Sequence, residues 1–192
     1  MPGPAFLEGD DVSLHPIESE DLEFVKRCMN DRRVWRPALG AEPTNDEQVS
    51  EFFDDVVSAD GDVHCLICES EETLGLISLT RSQYGPDETA RSRDAELGLY
   101  LAPEFHGERY GSDAAETMVR YAFEDLNLRR VSARCGGFND ASTGLLESLG
   151  FEREGRLREA AWYRGEYHDM LWYGLLREEW RDEADTDGDR PR

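Results

Sequence analysis

Glu96, the segment Pro103–Ala114 and the turn Asn139–Ser142 are the places where residue type and spacing could do chemistry. Glu96 lies in the alternating run Ala95–Leu101, which predicts a strand with Glu96 and Gly98 on one face and Leu97 and Leu99 on the other. A carboxylate held on a strand can take a proton from an attacking group, or it can simply face solvent. The run leads into PEFHGERYGSDA, a glycine-containing loop before an amphipathic helix expected to start near Ser112. Such a junction aims unpaired backbone N–H groups and the positive end of a helix dipole at one point, a seat for phosphate or pyrophosphate. The same glycines also suit a plain packing turn. From Asn139 to Gly150 the residues read as a short helix capped by Asn139 or Asp140, with Leu145 and Leu149 inward and Gly150 as the stop.

The elements that must position these groups follow from periodicity. Val12–Ile17 predicts a first strand, and Ser19 caps a helix to about Asn30 with Leu22, Val25 and Met29 at helical spacing. Arg32–Thr44 reads as a loop, and Asn45 caps a second helix to Ser58. Strands are expected at about Val63–Glu69 and Leu74–Ser82, then a polar loop from Tyr84 to Arg93, then the strand bearing Glu96. Past the glycine loop, Ala115, Met118, Val119, Ala122, Phe123 and Leu126 form an apolar helical stripe. Leu128–Cys135 predicts a strand, and a hairpin of Phe151–Glu159 with Tyr167–Leu176 follows the short helix. Residues 1–182 read as one mixed α/β domain, and the composition of 183–192 predicts a disordered charged tail.

Composition excludes several classes. Among 192 residues, 43 acidic and 21 basic side chains give a net charge of −22, and Lys26 is the sole lysine. The acids are spread along the chain, so the charge describes the whole surface and not a docking tail. Acid excess with almost no lysine resembles the proteins of salt-accumulating (halophilic) organisms, in which salt screens repulsion and carboxylates hold water. Nonspecific nucleic-acid binding needs clustered Lys and Arg and is not expected. No run nears the ~20 apolar residues of a membrane span, and no secretory pattern is visible, so a cytoplasmic location is expected. Cys65 and Cys68 form a lone C-x-x-C in an apolar run with no second pair, and the four histidines are scattered, so no metal is implied.

The order of strand, glycine loop, long helix, strand, N-x-x-S helix, L-G-F and terminal hairpin resembles the GNAT N-acetyltransferases. The branch it is most similar to contains the ribosomal-protein-alanine N-acetyltransferases. The resemblance spans about Asp11 to Trp180, densest over Ala95–Phe151 and in GEYHD…YGLLREEW near the end. It implies a single GNAT-like domain with a central, mostly antiparallel sheet flanked by helices. It also implies acetyl-CoA as acyl donor, no metal, and direct transfer to a primary amine, either a protein N-terminus or a small molecule. The alternative is a non-catalytic acyl-CoA-binding or regulatory module with the same fold. A homodimer stays open.

The resemblance also assigns residues. In the family's R/Q-x-x-G-x-G/A loop, His106 falls at the R/Q position, Gly107 next, Arg109 where the first glycine is usual, then Tyr110 and Gly111. Arg109 departs from the pattern, and its guanidinium either pairs with a CoA phosphate or marks weakened binding. Leu97 and Leu99 would offer backbone groups to the thioester and pantetheine, and Asn139 would hydrogen-bond the pantetheine arm. Glu96 is the general-base candidate. Leu146 stands where many relatives have an acidic tyrosine, so Ser142 becomes the candidate for stabilising the departing thiolate. Trp35, Tyr84, Trp162, Tyr163 and His168 are candidates for the acceptor side or, equally, for packing.

Overall fold

The computed structural model describes residues 2–81 and 93–180. Strands β1 (Leu7–Glu8) and β2 (Ser13–Pro16) precede helices α1 (Leu22–Asn30), α2 (Arg32–Trp35) and α3 (Asp46–Phe52). β3 (Val63–Glu69), β4 (Glu72–Arg81) and β5 (Asp94–Leu101) then run antiparallel to one another. Helix α4 (Tyr110–Glu124) leads to β6 (Arg130–Gly136), and α5 (Asp140–Ser148) leads to the hairpin β7 (Glu152–Tyr163) and β8 (Glu166–Leu176). All eight strands of the described residues join one sheet in the order β1-β2-β3-β4-β5-β6-β8-β7, antiparallel except where β5 meets β6. The mixed α/β architecture with flanking helices is the expected one.

Two helical layers cover the sheet because the strands alternate. Leu97, Val131, Ala133, Leu171 and Tyr173 turn to one side and bury Met118, Val119, Ala122 and Phe123 of α4 against them. Each fully buried Met or Phe there contributes roughly 1.5–3 kcal/mol of transfer free energy. On the other side, Val25 of α1 and Val49 of α3 pack on Leu66, Cys68 and Leu76. Cys65 and Cys68, three residues apart on a strand, therefore enter opposite cores. Burial pushes their thiols up to about 12 and about 11, and they pack as neutral groups.

The departures from expectation are local. β1 and α2 are too short to leave a period in the sequence, and α2 replaces part of the expected loop. The second helix ends at Phe52 in a π-helical turn, Phe53–Val57, and α4 starts at Tyr110, two residues early. Residues 84–92 of the polar loop, Tyr84 included, and the 183–192 tail lie outside the described residues. A feature with no sequence signature anchors the start of α4. The Asp113 carboxylate accepts from the backbone N–H groups of Asp10, Asp11 and Val12 at 3.0, 2.7 and 2.8 Å. The β1–β2 turn is thereby pinned to the first turn of the helix.

Candidate active site

β5 pairs with β4 all the way from Arg81↔Ala95 to Gly75↔Leu101, but with β6 only at Asp94↔Arg130, Ala95↔Val131 and Glu96↔Ser132. β6 meanwhile stays on β8 as far as Gly136↔Met170. Past Glu96 the two parallel strands therefore part. The backbone groups of Leu97–Leu101 that would have faced β6 have no strand partner. A cleft at the carboxyl ends of parallel strands is where α/β sheets accept ligands, and here two helix N-termini, α4 and α5, border its mouth.

At the α4 border the chain reaches the helix through two left-handed residues, Gly107 at φ 91° and Arg109 at φ 67°. Arg109 occupies a conformation that costs a side-chain-bearing residue about 1–2 kcal/mol, which accounts for the glycine expected there. Ser112 and Asp113 N–H both donate to the Arg109 carbonyl, so the Tyr110 and Gly111 N–H groups precede the first turn's bonds and are available to an anion. Nothing lies within 4 Å of where a Cβ on Gly107 would sit, so the approach is open. His106 does not point along this approach: its Nε2 lies 3.1 Å from the Leu101 carbonyl and ties the loop to the end of β5. The Tyr110 hydroxyl is bonded to Glu69, which holds its pKa above the ordinary value.

At the α5 border, Asn139 Oδ1 accepts from Ser142 N–H at 3.2 Å, the cap read from the sequence. The cap engages Asn139 through Oδ1 and not its amide NH2, and Ser142 through its backbone and not its hydroxyl. Leu146 is buried in the core at 5% exposure. The phenol that touches α5 comes instead from Tyr173, whose hydroxyl donates to Glu147 at 3.1 Å near the other end of the helix.

The outer face of the cleft carries Glu96. Its carboxylate accepts from Arg134 Nε at 2.8 Å and its side chain is 20% exposed, neither solvent-facing nor isolated. Arg134 and Glu96 stand on diverging strands, so the ion pair closes the floor where the ladder ends. Arg134 also lies over the Trp172 ring, 5.7 Å from its centroid. A chamber of about 440 Å³ opens beside this pair, walled by Pro37–Leu39 after α2, by Arg134–Gly136, and by Leu157, Met170 and Trp172. Cys135 lines it as well, with its thiol pushed up by burial to about 11. Among the described residues, no group of three or more His, Cys, Asp or Glu is placed to hold a metal ion.

The model of the acetyltransferase (GNAT) domain matches residues 11–152, well over half of the chain. The chain belongs to the GNAT acetyltransferase family. Acetyl-CoA is the donor of this family, and the open strand edge and free helix N-terminus described above fit it. Among relatives of this GNAT protein, the uncharacterized N-acetyltransferase YoaA of Bacillus subtilis (strain 168) is 32% identical over 176 residues, 89% of this chain and 96% of YoaA. YdaF of the same organism, named for ribosomal N-acetyltransfer, is 37% identical over 92 residues, and the match spans half of that protein. The spermidine N(1)-acetyltransferase of Escherichia coli (strain K12) is 24% identical over 92% of both chains. A spermidine N-acetyltransferase from Vibrio cholerae, solved with CoA and spermine, has the same fold at a TM-score of 0.79, with 22% identity over 89% of this chain and 98% of that one.

The other described sequence candidates of this GNAT protein, Trp35, Trp162, Tyr163 and His168, are not in the chamber wall. Trp35 ends α2 and backs onto Gly40, while the residues just after it, Pro37–Leu39, supply the wall. Trp162 is 59% exposed and meets Tyr167 edge-on near the hairpin turn. Tyr163 stacks flat on Phe138 at 3.8 Å, and His168 meets Phe138 edge-on at 5.1 Å, so this aromatic group braces the Gly136–Asn139 turn. Arg134 and Trp172 escaped the sequence reading. The period-two alternation of their strands, which puts them opposite Ala133 and Tyr173, is the signal that could have found them.

Proposed function

We propose that this protein transfers an acetyl group directly from acetyl-CoA to a primary amine, with Glu96 as general base. The observation that carries the reading is the parting of β5 from β6 beside the Glu96–Arg134 pair. It sets an unpaired strand edge for the thioester arm next to a carboxylate and an acceptor chamber. Leu97 and Leu99 offer backbone groups to the pantetheine and the thioester carbonyl. The amide of Asn139 supports the arm, and the N–H groups of Tyr110 and Gly111, together with Gly107 and Arg109, take the pyrophosphate. The amine nitrogen attacks the carbonyl carbon, its proton passes to Glu96 directly or through water, and the C–S bond breaks. The Ser142 hydroxyl donates to the departing sulfur.

Cys135 lies in the chamber wall, but a thiol held at about 11 is a poor nucleophile near neutrality, which favours direct transfer over an acyl-enzyme. The charge of −22 with one lysine supports work in a salt-rich cytoplasm. No described helix is long and apolar enough to cross a membrane. A protein N-terminus and a small amine both suit the chamber.

The test is thiol release from acetyl-CoA with a panel of primary amines in multimolar KCl. Release that depends on the amine, with no acetyl group on the protein after acetyl-CoA alone, is the expected result, and Cys135→Ala keeps it. Tight acetyl-CoA binding without release on any amine points to the non-catalytic binding module instead.

Arg109→Gly gives a separate readout. Removing the left-handed side chain is expected to raise the melting temperature of the free protein by a few degrees, for a gain of about 1 kcal/mol. If the guanidinium pairs with a CoA phosphate, acetyl-CoA affinity falls in the same variant. A lower melting temperature without ligand would show that the Arg109 side chain stabilises the fold through contacts of its own.

A further inference from the structure

We propose that the sheet carries a second subsite, in which Asp94, Trp172 and Leu157 hold a cationic group at the far end of the acceptor. The proposal rests on the acetyl-transfer reading for the reacting end of that molecule and adds the site for its other end. A chamber of about 450 Å³ lies over the paired ends of β5 and β6, walled by Asp94, Arg130, Ser132 and the hairpin residues Gly155, Arg156, Leu157 and Trp172. Leu157 and Trp172 also line the chamber beside Glu96, so the two spaces are neighbours along one groove.

The polar groups of this wall are nearly all committed. Arg130 places both terminal nitrogens on Glu154. Arg156 Nε holds Asp169 at 2.5 Å, and the Ser132 hydroxyl donates to the Ala95 carbonyl at 3.3 Å. Among the hydrogen-bond acceptors of this wall, Asp94 is the exception. Its Oδ1 is buried and accepts no hydrogen bond, although the charge of Arg130 is near enough to be felt. A buried carboxylate oxygen in a largely apolar chamber is satisfied best by an N–H donor carrying positive charge. Trp172 and the 51% exposed Leu157 side chain wall the chamber with carbon where the stem that carries it would lie. The acceptor class is therefore a primary amine with a second ammonium or guanidinium on an aliphatic stem. A small diamine supplies that chemistry, and so does a peptide N-terminus next to Lys or Arg.

The experiment compares matched acceptors on the whole protein in high salt: 1,5-diaminopentane against pentylamine, and Ala-Lys amide against Ala-norleucine amide. Thiol release gives kcat/KM, and calorimetry on the CoA-loaded protein gives binding without turnover. The expected result is about a tenfold preference for the dicationic member of at least one pair, the pair identifying the source. Asp94→Asn brings that ratio close to one. Leu157→Arg, at an exposed position where folding is not at stake, does the same by placing a cation in the chamber. No preference in the wild type, or a preference that both variants keep, overturns the subsite. If no amine is acetylated but the dication still binds more tightly in an Asp94-dependent way, the acetyl-transfer reading fails and the subsite stands.

Discussion

Glu96→Gln is expected to lower kcat by about 10²- to 10⁴-fold, the range that a positioned general base supplies. An amine must lose a proton as it adds to the thioester, and in the proposed reaction the carboxylate at the end of the β5–β6 pairing takes it. Glutamine keeps the shape of the side chain and can still accept a hydrogen bond from Arg134 Nε, now 2.8 Å from Glu96 Oε1. It has no useful basicity. Because the packing and the floor of the cleft persist, acetyl-CoA affinity should change little while turnover collapses. Steady-state kinetics with calorimetric acetyl-CoA binding separates the two. A kcat within a few-fold of the wild type would leave Glu96 only the structural task of pairing with Arg134.

Gly75→Ala should be among the most damaging single changes to the fold, and should weaken acetyl-CoA binding from the far side of β5. A Cβ at position 75 would sit 2.3 Å from the Tyr100 carbonyl oxygen and 2.8 Å from the Leu101 Cα. Both obstacles are backbone, so β4 and β5 must separate where Gly75 pairs with Leu101. Overpacking of this kind costs about 1–3 kcal/mol or more. In a chain of this size that lowers the melting temperature by roughly 2–4 °C per kcal/mol. Leu101 also accepts the His106 contact and lies beside Gly111, so its displacement carries into the Gly107–Gly111 loop. Differential scanning calorimetry and acetyl-CoA titration should show both losses. An unchanged melting temperature would mean that the strands have slack at this point.

Much of the site was legible because it depends on local rules. The Asn139 cap, the stripe of α4 and the alternation that sends Leu97 inward and Glu96 outward are set by residues a few positions apart. The loop from Gly107 to Gly111 reads as a candidate anion seat for the same reason. The aromatic acceptor candidates were harder. Trp162, Tyr163 and His168 stand out in the sequence by type, but whether such a ring lines a cleft or braces a turn depends on what packs beside it. Phe138 decides this for Tyr163 and His168.

The sequence by itself determined the longer elements, their order, the family they resemble and the strand that carries the candidate base. Only the tertiary structure decided where β5 leaves β6, that Glu96 is paired with Arg134, and that Asp94 has a buried oxygen without a donor. The physical reason is range. Hydrophobic period and capping act over one turn of helix or a few residues of strand. The parting of two strands and the pairing of charges 38 positions apart depend on how whole elements pack.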